Sequence, residues 1–129
     1  MPKFGSKIIH KPWGSEQWLE LNPNYCFKRI VIKAGFKTSF QYHEKKQETN
    51  YIAEGEAIVW LETDAGILEK FKAKAGDFFV INPPRKHRFI AITDIVLFEA
   101  STPEVDDVVR LDDDTGRPSG RIESEHRNK

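Results

Sequence analysis

The sequence predicts an all-β protein, a sandwich or barrel of short antiparallel strands. Three observations carry this. Apolar residues alternate with polar ones over runs of four to nine residues, turn signals recur every eight to twelve residues, and no stretch sustains a helical period. Tyr25 to Lys33 (YCFKRIVIK) is dense in β-branched and aromatic residues and stops at Ala34-Gly35. Ser39 to His43 alternates. Asn50 to Ala53 is a short strand ended by Glu54-Gly55-Glu56, and Ala57 to Thr63 (AIVWLET) is a strong one ended by Asp64-Ala65-Gly66. Ile67 to Ala73 runs to the Gly76-Asp77 turn, and Phe78 to Ile81 runs to Pro83-Pro84. His87 to Thr93 and Ile95 to Ala100 flank Asp94. Glu104 to Leu111 (EVDDVVRL) has the composition for a helical turn or two. From Asp112 the chain is polar, with Ile122 its only aliphatic residue, so it is expected to be a tail or an arm docked on a neighbouring subunit.

Composition bounds the rest. The 129 residues suffice for one domain, residues 1–129, with its core over about 8–111. Lys plus Arg and Asp plus Glu both number 20, so no broad basic field exists for nucleic acid or a membrane surface. No apolar run approaches the roughly 20 residues of a membrane helix. The single cysteine, Cys26, excludes an internal disulfide and a sulfur-based zinc site, and its alternating context reads as a buried thiol. With no secretory leader, a cytoplasmic location is expected.

One ordered spacing points to chemistry: Gly35, Gln41, His43, Glu48, Gly55, then Gly76 and His87. Gln41, His43, Glu48 and His87 are neutral or anionic donors suited to a divalent metal with mixed nitrogen and oxygen preference. Residues two apart on a strand share a face, so Gln41 and His43 are expected to point into the barrel together. The polar stretch Glu44 to Gln47 lets the chain double back and return Glu48 to the same height. Taken singly, each donor reads better as an ordinary surface or core residue; the site rests on the four together.

At this point the residues resemble a family. The Gly…Gln-x-His-x4-Glu…Gly segment followed by Gly76…His87 looks like the paired motifs of the cupin superfamily, small antiparallel β-barrels (double-stranded β-helix, or jelly roll) with an internal metal. Gln41 in the place of the usual first His is similar to the phosphomannose isomerase branch. Lys11-Pro12-Trp13-Gly14, Phe27-Lys28-Arg29-Ile30 to Lys33-x-Gly35, His87-Arg88, Glu99 and the Asp106-Asp107…Arg110…Asp113-x-x-Gly116-Arg117 segment resemble the C-terminal isomerase domain of type II mannose-6-phosphate isomerase/mannose-1-phosphate guanylyltransferases. These 129 residues carry no guanylyltransferase segment, so the resemblance implies isomerase chemistry alone. Asn82-Pro83-Pro84 and His43-Glu44-Lys45-Lys46 depart from the usual pattern.

The resemblance implies a metal-dependent aldose–ketose isomerase, acting on mannose 6-phosphate and fructose 6-phosphate in carbohydrate or polysaccharide synthesis. The implied ion is zinc, with manganese, cobalt, nickel or iron as substitutes, and the implied assembly is a homodimer. Glu99, in an otherwise apolar strand, is read either as a buried base or as an outward carboxylate; Arg88 shares the catalytic assignment. Strand alternation turns Arg88 away from His87 unless the strand is bulged. For the sugar phosphate, Lys46, Arg85, Lys86, Arg110 and Trp13 are the candidate contacts, with Lys37, Arg117 and Tyr42 in reserve. A non-catalytic sugar-phosphate or nucleotide-sugar binding module uses the same barrel. An iron dioxygenase is the third reading, and Gln41 argues against it.

Overall fold

A computed structural model describes residues 7–112 and 120–122. They form two six-stranded antiparallel sheets and no helix. The first sheet contains β1 (Lys7–Lys11), β2 (Gly14–Leu21), β3 (Cys26–Ile32), β5 (Glu48–Glu54), β8 (Phe78–Ile81) and β10 (Ile95–Ser101), in the order β1-β2-β3-β10-β5-β8. The second contains β4 (Phe40–Tyr42), β6 (Glu56–Glu62), β7 (Leu68–Lys74), β9 (His87–Ala91), β11 (Val108–Asp112) and β12 (Gly120–Ile122), in the order β12-β11-β4-β9-β6-β7. The chain crosses repeatedly between sheets, as a jelly roll does.

Each strand from β3 to β10 falls where period-two alternation places it. The alternation also sets the inner face. On β3, Cys26, Lys28, Ile30 and Ile32 are buried; on β10, Ile95, Leu97, Glu99 and Ser101 are buried; on β5, Glu48, Asn50 and Ile52 are buried. Cross-strand register then divides this face in two. Ile30 lies opposite Leu97, and Leu97 opposite Ile52, which builds an apolar layer. Lys28 lies opposite Glu99, and Glu99 opposite Asn50; one row further, Ser101 lies opposite Glu48. The second sheet repeats the change: Ala57 pairs with Ala91 and Val59 with Phe89, but Leu61 pairs with His87 and His87 with Gln41. One end of the interior is therefore a packed core of Ile30, Ile32, Ile52, Val59, Phe89, Ile95 and Leu97. The other end is polar.

Gly55 shows how tightly the turns are drawn. Its φ of 95° is left-handed, and a Cβ there would run into the backbone carbonyl of Asp94. That contact closes the β5–β6 turn against the β9–β10 turn.

Two expectations are corrected. Glu104 to Leu111 makes no helical turn: from Val108 the chain is strand β11, paired with β4 through Arg110 and Gln41. Its backbone N–H and C=O groups pair with the open edge of β4, while alternation buries Val108 and Arg110. The polar C-terminal segment is not wholly a tail either, since Gly120–Ile122 adds β12 to β11. The rest of that segment, Arg117 included, lies outside the described residues. The opening hairpin, β1 paired with β2, precedes the first strand read from the sequence.

Candidate metal centre

Three side chains meet in the polar half of the interior. His43 follows β4, Glu48 opens β5 and His87 opens β9, so each comes from a different strand start or end. Their ligand atoms all lie within 4.8 Å of one another, and all three residues are buried. His43 Nε2 lies 2.8 Å from Glu48 Oε1, and His87 Nε2 lies 3.7 Å from the same oxygen.

The hydrogen bonds assign the protons. His43 Nδ1 donates to the Asp107 carbonyl at 2.7 Å, and His87 Nδ1 donates to the Arg85 carbonyl at 3.0 Å. A backbone carbonyl can only accept, so each ring keeps its proton on Nδ1 and turns a lone pair inward from Nε2. Glu48 Oε2 accepts from Asn50 Nδ2 at 2.8 Å, which leaves Oε1 facing the two imidazoles. His43 Nε2, His87 Nε2 and Glu48 Oε1 are buried without a hydrogen-bond donor. Three inward acceptors with no donor among them are costly unless a cation lies between them. The donor set fits a divalent metal of intermediate softness.

Protonation states agree. Burial drives the His87 imidazole down to about 4, so it is neutral at pH 7. Burial alone would push the Glu48 carboxyl up, but the nearby positive charge, the Lys46 ammonium foremost, outweighs it and holds it well below its ordinary value. Both shifts have one sign in the metal-free protein. A depressed folded pKa contributes stability above the unfolded value, lost as the pH falls through the folded one. The metal-free melting temperature is therefore expected to drop between pH 6.5, the ordinary imidazole value, and about 4. Thermal melts across that window check this, and His87→Gln should flatten the slope.

Gln41 lines the same cavity and sits between His87 on β9 and Arg110 on β11 in register. Directly opposed residues share a face with their Cβ atoms about 5 Å apart. Ser39 Oγ donates to Gln41 Oε1 at 2.7 Å, which orients the amide and leaves that oxygen a second lone pair.

Glu99 is inward, 5% exposed, and its Oε2 accepts from Lys46 Nζ at 3.0 Å. Of the two readings of Glu99, the buried one is realised. Lys46 is itself 5% exposed and lies 3.9 Å from Glu48 Oε1. Burial by itself would drive its ammonium down; the Glu99 and Glu48 carboxylates outweigh that and hold it above its usual value. Lys46 is therefore a fixed cation. Trp13 and Arg110, both buried, also line the cavity.

Three expected contacts fall elsewhere. Arg88 is buried on the opposite face of β9, where Nε donates to the Thr38 carbonyl at 3.0 Å and the guanidinium sits 5.2 Å over the Trp60 ring. β9 carries no bulge at this point, so alternation alone turns Arg88 away from His87. Arg85 pairs with Asp64 outside the cavity. Lys86, whose backbone N–H donates to Glu62, is also outside it. Both belong to the connection between the sheets, which runs past the cavity rather than into it. Tyr42 and Lys37 do not line the cavity either.

Two positioning residues escaped sequence reasoning. Asn50 holds Glu48, and Asp107 holds both His43, through its carbonyl, and the 44–46 loop, through Oδ2 bonds to the Lys45 and Lys46 backbone N–H groups at 2.6 and 3.0 Å. Asn50 had a signal, since it stands two residues after Glu48 on one strand face. Asp107 stood in the Asp106-Asp107…Arg110 segment of the resemblance, which gave it no role; its contacts with His43 and the 44–46 loop come from the tertiary fold.

Residues 28–99 match the cupin domain family. A mannose-1-phosphate guanylyltransferase of Escherichia coli (strain K12) is 30% identical over 112 residues, which is 84% of this chain and 23% of that protein. The chain thus spans about a quarter of the length of the curated relatives it matches. Among solved structures, the capsular polysaccharide assembling protein CapF from Staphylococcus aureus superposes with a TM-score of 0.72 at 14% identity, covering 86% of this chain and 35% of that one. A Bacillus subtilis oxalate decarboxylase with Mn(II) centres superposes with a TM-score of 0.70 at 16% identity, over 81% of this chain and 30% of that one. No helix among the described residues is long and apolar enough to cross a membrane.

Proposed function

The chain belongs to the cupin family, and from that premise we propose that it is a metal-dependent sugar-phosphate isomerase. The reaction interconverts an aldose and a ketose, with mannose 6-phosphate and fructose 6-phosphate as the first pair to test. The observation that carries the reading is the buried Glu99 carboxylate, held by Lys46 in the same cavity as the three facing acceptors. The similarity to a mannose-1-phosphate guanylyltransferase points the same way.

Gln41, His43, Glu48 and His87 would hold the ion. Once bound, a divalent metal supplies Lewis acidity to the carbonyl and adjacent hydroxyl of the sugar. Zinc suits two imidazoles with oxygen donors, and manganese, cobalt, nickel or iron fit the same set less selectively.

Isomerisation then needs one proton moved between neighbouring carbons. Glu99 takes the proton from the carbon beside the carbonyl and returns it to the former carbonyl carbon. The proton on the adjacent hydroxyl crosses to the other oxygen, so the net change is a hydrogen shift with nothing gained or lost. Lys46 remains protonated throughout, steadying the Glu99 carboxylate and the negative charge that develops on the enediolate. Trp13 offers an apolar wall, and Arg110 a cation for the substrate beside Gln41.

The test is a coupled assay on metal-loaded protein for conversion of mannose 6-phosphate to fructose 6-phosphate. Turnover that disappears on chelation and in Glu99→Gln is the expected result. Stoichiometric metal with tight sugar-phosphate binding and no turnover would overturn the isomerase in favour of a binding cupin.

A further inference from the structure

The cavity holds a second charged cluster that the metal does not use. Lys28, only 3% exposed, donates from Nζ to Glu16 Oε1 at 3.3 Å, and Trp18 Nε1 donates to the same oxygen at 3.2 Å. Lys11 Nζ lies 3.9 Å from Glu16 Oε2. Lys28 Nζ also sits 4.6 Å over the Trp18 ring. Lys11, Glu16 and Lys28 all line the cavity that contains His43, Glu48 and His87.

Stability does not explain this cluster. Desolvating a lysine and a glutamate costs as much as their attraction returns, and apolar residues of the same volume do at least as well. The charge balance gives a reason. The cavity wall carries four cations, Lys11, Lys28, Lys46 and Arg110, against three carboxylates, Glu16, Glu48 and Glu99. A divalent ion on His43 and His87 adds two more positive charges. A cavity so lined draws in an anion.

Position separates two ends. Glu48 is on β5, and Lys28 is two strands away on β3, across β10. Strands are about 4.8 Å apart, so the two backbones are roughly 10 Å apart, a gap their side chains narrow from both sides. That span suits a short polyol with reacting oxygens at one end and a phosphate at the other.

We propose that Lys28 and Lys11, held in place by Glu16, form the phosphate subsite of the cavity. Glu16 keeps both ammonium groups pointing inward, and the incoming phosphate joins them. The assignment deepens the sugar-phosphate reading and rests on it, and it displaces Arg85 and Lys86 from that role.

Calorimetric titration of the metal-loaded full chain with mannose 6-phosphate and with mannose tests it. The wild type should bind the phosphorylated sugar at least tenfold more tightly. In Lys28→Met that preference should fall to within about threefold, with metal content unchanged. Because Lys28→Met strands Glu16, the paired variant Glu16→Gln/Lys28→Met is measured alongside and should lose the preference equally. Arg85→Met should keep it. No preference in the wild type, or a preference that survives in the paired variant, overturns the subsite. Turnover is scored separately: a Lys28-dependent preference in a protein that never turns over keeps the subsite and overturns the isomerase. Turnover with an unaltered preference in the paired variant does the reverse.

Discussion

Glu48→Gln is expected to empty the metal centre. The substitution keeps the shape and the Asn50 contact side of the residue but removes the one carboxylate of the trio. Losing an outer-shell partner alone weakens metal affinity by about ten- to hundredfold, and losing the charged ligand should exceed that. Elemental analysis after dialysis should fall from near one metal per chain to below about a tenth of that. His43→Ala and His87→Ala should behave alike, because each removes one of the three facing acceptors. Asn50→Ala should show the smaller loss of an outer-shell partner, roughly tenfold. Stability gives a second readout. With free metal at a hundred times Kd, binding stabilises the wild type by about 2.7 kcal/mol. That corresponds to a rise of roughly 10 °C in Tm for a chain of this size. The rise should vanish in Glu48→Gln. Near-stoichiometric metal in that variant would show that the ion, if any, lies elsewhere.

Lys46→Met is expected to be among the most destabilising single changes in the chain. Lys46 and Glu99 are each 5% exposed and joined at 3.0 Å, so removing the ammonium leaves a buried carboxylate without its cation. Breaking such a pair from one side costs about 3–5 kcal/mol. The Tm should drop by more than about 10 °C. Lys46→Met/Glu99→Gln should recover part of this, with a coupling of about 1–3 kcal/mol in the double-mutant cycle. Recovery stays partial because Lys46 also faces Glu48 at 3.9 Å. Glu99→Gln alone separates chemistry from structure. It should keep the metal while lowering turnover by roughly 10²–10⁴-fold, the usual contribution of a positioned base. Additive effects of the two substitutions, or normal turnover in Glu99→Gln, would reject the pair as the proton-handling element.

Much of the site was legible before the fold. Gln41 and His43 share a strand face by spacing alone, and Glu48 returns after a four-residue polar bend. Glu99 stood out because a carboxylate amid Val96, Leu97 and Phe98 needs a reason. Alternation counted against the catalytic assignment of Arg88, and it prevails: with no bulge in β9, Arg88 faces away from His87 and the assignment fails. The failures share one cause. Arg85 and Lys86 are near His87 in sequence, but they lie on the connection between sheets, and proximity along the chain says nothing about the direction of a connecting segment. Val108 to Asp112 has too little length for periodicity to decide between strand and helix, and only the open edge of β4 makes it a strand.

Period-two patterning, turn residues and donor spacing are local properties, so the sequence by itself determined that this is a barrel of short strands whose inner face turns polar around Gln41, His43, Glu48 and His87. Strand order and register are not local. The pairing of β4 with β9 and of β3 with β10 sets which inward residues become neighbours across distances of 46 to 75 residues along the chain. Strand pairing of this kind brings three acceptors to one point, puts Asp107 behind His43, and places Lys28 in the same cavity as His43, Glu48 and His87. Hydrogen bonding between distant strands, rather than any motif, decided it.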